Sequence, residues 1–198
     1  MILDKKVNII GPMSVNTLHI DENLFSIIVD GGLNHNLNLH NSLSIGDNDS
    51  TKSKIDCVIP KEKERSDLHF ALEKIPKDTL YLELHGFMGG RHDHQLMLYG
   101  DLCHYLENSK VHSIKLYDEN KHILSILNSK EESIEYKGEF SLFSFYSQRI
   151  QLDGDIKYKV TEANQQAFTP YSSQGLSNIS YSLIQISFQK PLLIFFNA

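Results

Sequence analysis

Leu43-Ser44-Ile45-Gly46-Asp47-Asn48-Asp49-Ser50 decides the fold of this chain. Its apolar start stops at Gly-Asp-x-Asp-Ser, the pattern of a buried strand that delivers two carboxylates to its carboxyl end. In open α/β sheets that end is the edge where ligands bind. Upstream, Phe25-Ser26-Ile27-Ile28-Val29-Asp30 is a second β-branched run, and the Asp30-Gly31-Gly32 that closes it reads as a strand followed by a turn. Asp30 thus reaches the same edge.

Downstream of Pro60, Lys61-Glu62-Lys63-Glu64-Arg65 reads as a charged loop. Ser66 is placed to cap a helix whose apolar residues Leu68, Ala71, Leu72 and Ile75 recur at helical spacing, with Asp67 in its first turn. Thr79 to Leu84 reads as another strand, His85 to Arg91 as a glycine-containing loop, and His94 to Leu106 as a second helix with Leu98, Leu102, Tyr105 and Leu106 on one face. Strands alternating with helices predict a parallel α/β sheet.

Around Tyr117-Asp118-Glu119-Asn120-Lys121 the helical period gives way to short alternating segments. Ser133 to Tyr136, Phe140 to Tyr146, Ile156 to Val160, Ser180 to Phe188 and Leu192 to Phe196 read as strands, with turn signals at Lys137-Gly138 and Asp153-Gly154. The chain is therefore expected to be of the α/β class. A parallel-sheet α/β domain over residues 1–120 precedes a small antiparallel β-sandwich over residues 121–198.

The chain has 198 residues, 40% hydrophobic and 22% charged, the composition of an ordinary globular protein. A net charge of −6 excludes a general nucleic-acid binder, which would carry a basic face. A bound nucleotide would have to be held locally, by backbone N–H groups, a few cationic side chains and a metal. No apolar run approaches the roughly 18 residues that a membrane helix needs. Met1-Ile2-Leu3-Asp4-Lys5-Lys6 lacks the apolar stretch of a signal peptide, so a cytoplasmic location is expected. Cys57 and Cys103 have no metal-ligand spacing and make no disulfide framework.

Asp30, Asp47, Asp49 and Asp67 come from three strand-to-loop junctions. Four acids gathered at one edge do not all stay ionised without a cation, and oxygen-only ligands suit Mg²⁺. Singly, each is an ordinary turn or cap residue; as an ordered set they point to a site. Gly86-Phe87-Met88-Gly89-Gly90-Arg91 offers backbone that can approach phosphate closely, followed by a guanidinium suited to bidentate contact. The run is neither a Walker A loop nor a dinucleotide fingerprint. In an extended segment His92 and His94 would share a face, as zinc ligands do, but a third ligand of matching context is missing. Lys63 reads as solvated surface placed three residues before Ser66-Asp67, and Gly175-Leu176-Ser177-Asn178 as a loop, not a nucleophile elbow.

Taken in order, these motifs resemble those of the thiamine pyrophosphokinases. That family carries an Asp-Gly turn after its first strand, Gly-Asp-x-Asp-Ser, a Lys shortly before Thr-Asp, Gly-Gly-Arg-x-Asp-His, and a late Ser-Asn in a β-domain. Here these are Asp30-Gly31, Gly46 to Ser50, Lys63 with Ser66-Asp67, Gly89 to His94, and Ser177-Asn178. The match runs from about residue 25 to the end. The resemblance implies transfer of the pyrophosphoryl group of ATP to the hydroxyl of thiamine, with Mg²⁺ held by Asp47, Asp49 and Asp67. It also implies ATP contacts from Asp30, Gly31, Asp47, Ser50, Gly90, Arg91 and His94. Asp67, Arg91, Asp93 and Lys63 would take catalytic roles, with Asp67 or Asp93 accepting the hydroxyl proton. Ser177 and Asn178 would line the thiamine pocket, which in the family lies between two subunits, so a homodimer is implied.

The chain departs from the family in places. Leu98 stands where members usually have Asn, Lys63-Glu64 replaces Lys-Asp, and Ser66-Asp67 replaces Thr-Asp. There is no Trp; Phe168, Tyr171 or Tyr181 would offer the aromatic face that attracts a thiazolium cation. Two other functions fit the motifs: a pyrophosphokinase for another small alcohol, such as a hydroxymethyl pterin, and a catalytically weak thiamine-binding sensor.

Overall fold

The computed structural model describes residues 5–15, 20–119, 121–128, 130–161 and 167–197. They divide into two compact units, Met1–His122 and Ile123–Ala198. Parallel ladders occupy the first and antiparallel ladders the second, giving mixed β structure with few helices.

The first unit comprises β1 (Lys6–Ile10), β2 (Ser26–Val29), β3 (Ser42–Gly46), β4 (Cys57–Val58), α1 (Asp67–Leu72), β5 (Tyr81–His85), α2 (His92–Glu107) and β6 (Ser113–Asp118). Its strands pair in parallel in the order β4-β3-β2-β1-β5-β6. Val7, Ile9, Ile10, Ile27, Ile28, Val29, Ile45, Leu82, Leu84, Ile114 and Leu116 are buried, as near-continuous apolar strands covered on both faces must be. Each such side chain contributes about 1.5–3 kcal/mol on leaving water. From β1 the chain builds outward through β2 to β4, then crosses to β5 and β6 on the other side. β1 and β5 therefore flank the switch point where strand order reverses, the place at which ligands bind in such sheets.

Ser66 caps α1, its Oγ accepting from the His69 N–H at 3.2 Å. The apolar stripe of that helix is buried through Leu68, Ala71 and Leu72, with Ile75 buried just beyond its end. Helix α2 starts at His92, two residues earlier than its apolar stripe indicates, because Arg91 adopts the extended conformation of a cap residue. His92 and His94 are therefore about 200° apart around a helix and do not share a face. Three strands have no counterpart in the sequence expectation: β1, β4 and β6.

The second unit contains β7 (Lys121–Leu127) from Ile123 onward, also unanticipated, followed by β8 (Glu131–Glu135), β9 (Gly138–Phe143), β10 (Gln151–Ile156), β11 (Asn178–Ser187) and β12 (Leu192–Asn197). The hydrogen bonds of the second unit follow an antiparallel path, β10-β11-β9-β12-β7, with β8 also paired to β11. Phe140, Leu142, Leu152, Ile184, Ile186, Leu192, Ile194 and Phe196 gather in one core cluster. Lys137-Gly138 is not a hairpin turn. Both β8 and β9 run against β11 with no slip of register, from Glu131 opposite Ser187 to Phe140 opposite Asn178, and the Tyr136 N–H donates to Ser182 O across the gap. Nor does Asp153-Gly154 precede a strand. Gly154 lies inside β10 at a register shift, with φ of 105° and a site where a Cβ would come within 2.3 Å of Leu183 O. Of the expected strand Ile156 to Val160 only Ile156 is in β10, and Val160 bridges back to Leu152.

Candidate functional site

The carboxyl ends of β2 and β3 bring three acids together. Asp30 opens a 3-10 turn, Asp30–His35, directly after β2, with a left-handed φ of 45° that Asp tolerates better than most residues. Asp47 and Asp49 follow β3 on a loop whose Asn48 is also left-handed, with φ of 64°. One carboxylate oxygen from each of Asp30, Asp47 and Asp49 lies within 4.8 Å of the others. The Asp49 N–H donates to Asp47 Oδ1 at 3.3 Å, and the Ser50 hydroxyl donates to Asp49 Oδ1 at 2.8 Å. These two bonds fix the direction in which the acids point. Gly31 passes against Ser50 and Pro12, where a Cβ would come within 3.6 and 3.0 Å of their Cβ atoms.

Lys63 holds the other side of the cluster. Its Nζ lies 2.7 Å from Asp47 Oδ2 and 2.9 Å from Asp67 Oδ1, in the first turn of α1, while Lys61 reaches Asp49 at 3.8 Å. The hydrogen bond from Lys63 holds the Asp47 carboxyl below the usual range against the opposing effect of burial. Burial pushes Asp67 the other way, upward, outweighing its bond to Lys63, and the charges of Asp47 and Asp30 add to the rise. Burial also works to lower Lys63, but its bonds to Asp47 and Asp67 more than offset this and the ammonium is stabilised.

A hard divalent cation fits this donor set. Asp30 Oδ1 is buried without a hydrogen-bond partner, an arrangement that costs about 1–3 kcal/mol or more unless something compensates it. All three convergent groups are carboxylate oxygens, the ligand type that Mg²⁺ takes. Asp30, Asp47 and Asp49 are the acids that meet this spacing, and Asp67, expected in the ligand set, lies beside them, joined to Asp47 through the shared ammonium of Lys63.

At the switch point two loops interlock through glycine. The Gly11 N–H donates to His85 O at 2.7 Å and the Met13 N–H to Gly86 O at 2.9 Å, so a Cβ on Gly11 would lie 2.4 Å from Gly86 O. Gly86, Gly89 and Gly90 all have positive φ, of 73°, 88° and 74°, which explains glycine at each. Gly11 was not among the residues expected at the site, since its part depends on a loop 75 positions away folding onto it.

Arg91 and Asp93 pair with each other at the start of α2, Nε to Oδ1 at 3.1 Å with a second contact from the terminal nitrogen. Both are exposed, and the guanidinium lowers the Asp93 carboxyl to about 2. His94 is exposed on the same first turn.

In the second unit Ser177 is left-handed, with φ of 56°; its N–H donates to Ser141 Oγ at 3.1 Å and its hydroxyl to Glu139 Oε1 at 3.3 Å. The Asn178 side chain is buried and clamps Tyr158, accepting from its N–H at 3.0 Å and donating to its O at 2.8 Å. Asn178 lines a cavity of about 240 Å³ together with Leu142, Leu152, Tyr158, Phe168 and Leu176 among others. Of the three candidate aromatics Phe168 is buried, whereas Tyr181 and Tyr171 are exposed, and Tyr171 packs edge-on against Phe143 and Phe145.

No protein-family model matches the chain, and no curated protein sequence matches it. Solved structures do. A thiamine pyrophosphokinase from Bacillus subtilis aligns with a TM-score of 0.72 and 25% identity over 96% of this chain and 97% of that one. A thiamin pyrophosphokinase from Geobacillus thermodenitrificans aligns at 0.71 and 20% identity over 98% of each. One from Candida albicans aligns at 0.67 and 15% over 97% of this chain and 90% of that chain. In structure, as in the order of its motifs, this chain resembles the thiamine pyrophosphokinase family.

Proposed function

We propose that the protein is a Mg²⁺-dependent thiamine pyrophosphokinase. The observation that carries this reading is the convergence of Asp30, Asp47 and Asp49, backed by Lys63 and Asp67, at the carboxyl edge of a sheet whose whole-chain likeness is to thiamine pyrophosphokinases.

Residues 1–120 would bind ATP and metal, and residues 121–198 would supply the acceptor side through Ser177 and Asn178. Asp47 and Asp49 would hold Mg²⁺ together with Asp30 and the neighbouring Asp67. When bound, the ion would neutralise charge on the polyphosphate oxygens. Backbone N–H groups of the Gly86 to Gly90 loop and the guanidinium of Arg91 would meet phosphate, once Arg91 exchanges Asp93 for its stronger anionic partner. Ser50, Gly31 and His94 complete the nucleotide side.

In the reaction a bond forms between the thiamine hydroxyl oxygen and the β-phosphorus, the bridge to the α-phosphate breaks, and AMP departs. Asp67 suits acceptance of the hydroxyl proton, because burial raises its carboxyl and Lys63 is beside it to steady the charge. Asp93, lowered to about 2 by Arg91, is a poor base while that pair lasts. Positioning and charge neutralisation carry most of the catalysis. A homodimer with the acceptor pocket at the subunit interface, in the cytoplasm, completes the reading.

The test is AMP formation from ATP and Mg²⁺ by purified protein, with and without thiamine, with mass detection of the product. Thiamine-dependent AMP and a diphosphate product support the proposal. Nucleotide binding without thiamine-dependent turnover overturns it and directs the search to another acceptor alcohol or a sensor role.

A further inference from the structure

The turn that begins with Asp30 ends in Asn34 and His35, and each of these side chains grips a different loop of the site. Asn34 Nδ2 donates to Ser50 O at 3.0 Å, tying the end of the Asp47–Ser50 loop. His35 Nε2 lies 3.0 Å from Gly11 O. A carbonyl oxygen only accepts, so Nε2 carries the proton here. Gly11 is the residue that donates to His85 O and abuts Gly86 at the switch point. The two glycines of the same turn press on that loop as well. A Cβ on Gly31 would lie 3.0 Å from Pro12 Cβ, and one on Gly32 would lie 2.6 Å from Ile10 O.

We infer that Asn34 and His35 are positioning residues that lock the acid loop and the switch-point loop into one frame around Asp30, Asn34 setting the metal acids and His35 the nucleotide-facing backbone. The physical case is one of reach. The Asp47–Ser50 loop is shaped by its own local bonds, from Asp49 N–H to Asp47 and from Ser50 to Asp49, and Lys63 and Lys61 reach its acids from the far side through flexible side chains. Asn34 supplies an anchor from outside the loop, and it sits on the segment that carries the third acid. The distance between Asp30 and Asp49 is thereby set by a short, bonded circuit through Asn34 and Ser50. Carboxylates held at a fixed spacing bind a cation without first losing loop freedom, which is the gain from preorganisation. His35 acts through backbone only. With its bond in place, the Gly11–Met13 loop stays seated against Gly86, and Gly90 packs beside Met13, whose Cε would be 3.3 Å from a Cβ there.

This inference rests on the metal and nucleotide reading above, and its test separates the two. Mn²⁺ and a non-hydrolysable ATP analogue serve as probes of the full-length protein, with affinities measured directly and thermal unfolding followed in EDTA. Asn34→Ala is expected to weaken Mn²⁺ binding about tenfold while unfolding in EDTA changes by no more than a few degrees. His35→Phe, which keeps the ring volume but loses the donor, is expected to weaken the nucleotide analogue by a similar factor and to leave Mn²⁺ nearly unchanged. His35→Gln, whose amide can donate to Gly11 O, is expected to restore it. Wild-type affinities in both alanine and phenylalanine variants overturn the inference. So do losses that track the loss of thermal stability, a glutamine variant no better than phenylalanine, or a wild-type protein that binds no Mn²⁺. Tight probe binding with no thiamine-dependent AMP would sink the kinase reading and leave the positioning inference standing.

Discussion

Gly46 and Asp30 are packed so closely that a Cβ on Gly46 would lie 2.9 Å from the Cα of Asp30 and 3.1 Å from its Oδ1. Gly46 is thus the clearance that lets β2 deliver Asp30 beside the acids that follow β3. Replacing it with alanine pushes a methyl group against the Asp30 backbone, which no rotamer change relieves. Gly46→Ala is expected to lower Mg²⁺ affinity at least tenfold and to lower the unfolding midpoint; unchanged metal binding by titration calorimetry would contradict this account of the acid cluster.

Gly100 presents the opposite case. It lies inside α2, and a Cβ built on it meets nothing within 4 Å. Glycine there costs helix stability with no packing in return. Gly100→Ala is expected to stabilise the protein by about 0.5–1 kcal/mol in urea unfolding and to leave turnover unchanged.

Among the described residues Asp49 has no structural partner beyond its own loop and Lys61 that would explain its place among three convergent carboxylates. Asp49→Asn keeps the shape and removes the charge. Turnover should fall by orders of magnitude while circular dichroism is unchanged, and near-normal activity at saturating Mg²⁺ would remove Asp49 from the metal site.

Lys63 is the ammonium that neutralises Asp47 and Asp67 together. Lys63→Ala leaves two carboxylates facing each other without it, at an expected cost of about 1–3 kcal/mol in EDTA. Mg²⁺ binds only the folded acids, so adding it should return part of that loss. A variant as stable as wild type in EDTA, with no further gain from Mg²⁺, would show that the ion pair does not hold the cluster.

Asp56 gives a pH dependence well defined in sign. Its carboxylate accepts from the Ser44 N–H at 2.9 Å and from the Ser44 hydroxyl at 2.7 Å, and these bonds, the backbone one first, hold it below the ordinary range. A folded-state value below the unfolded one, about 3.9, means that the stabilisation is complete above pH 5 or so and drains away as pH falls through the folded value. The difference in unfolding free energy between wild type and Asp56→Asn should therefore be flat from pH 5 to 7 and shrink below pH 4. A difference that grows on acidification would reverse the assignment.

How far the sequence reaches into this structure depends on whether a residue's role is local. β3 was legible because Leu43 and Ile45 end in Gly-Asp-x-Asp-Ser, and α1 because Ser66 caps it and Leu68, Ala71 and Leu72 keep its period. β4 was not, since two residues, Cys57 and Val58, carry no period and become a strand only by pairing with Ile45 and Gly46. β1 carries its apolar signal in Val7, Ile9 and Ile10 but lies before the first turn cue that organised the reading. Gly138 and Gly154 have left-handed φ, which turn residues share with bends and bulges, and only partner register tells these apart. In the site, the acids were legible as motif residues. The grips of Asn34 on Ser50 and His35 on Gly11 were not, because they join positions 16 and 24 residues apart, and the Asn- and His-rich run from Asn34 to Asn41 does not say which carbonyl each side chain reaches.

The unslipped register of β8 and β9 along β11 has a consequence for how the second unit comes apart. With β10 on one flank and the β8–β9 ribbon on the other, β11 is shared by every neighbour it touches, so no hairpin containing it can peel away alone. Amide hydrogens of its central residues are expected to reach solvent only when the unit opens as a whole, which makes β11, together with the equally flanked β12, a slow-exchanging sensor of global opening.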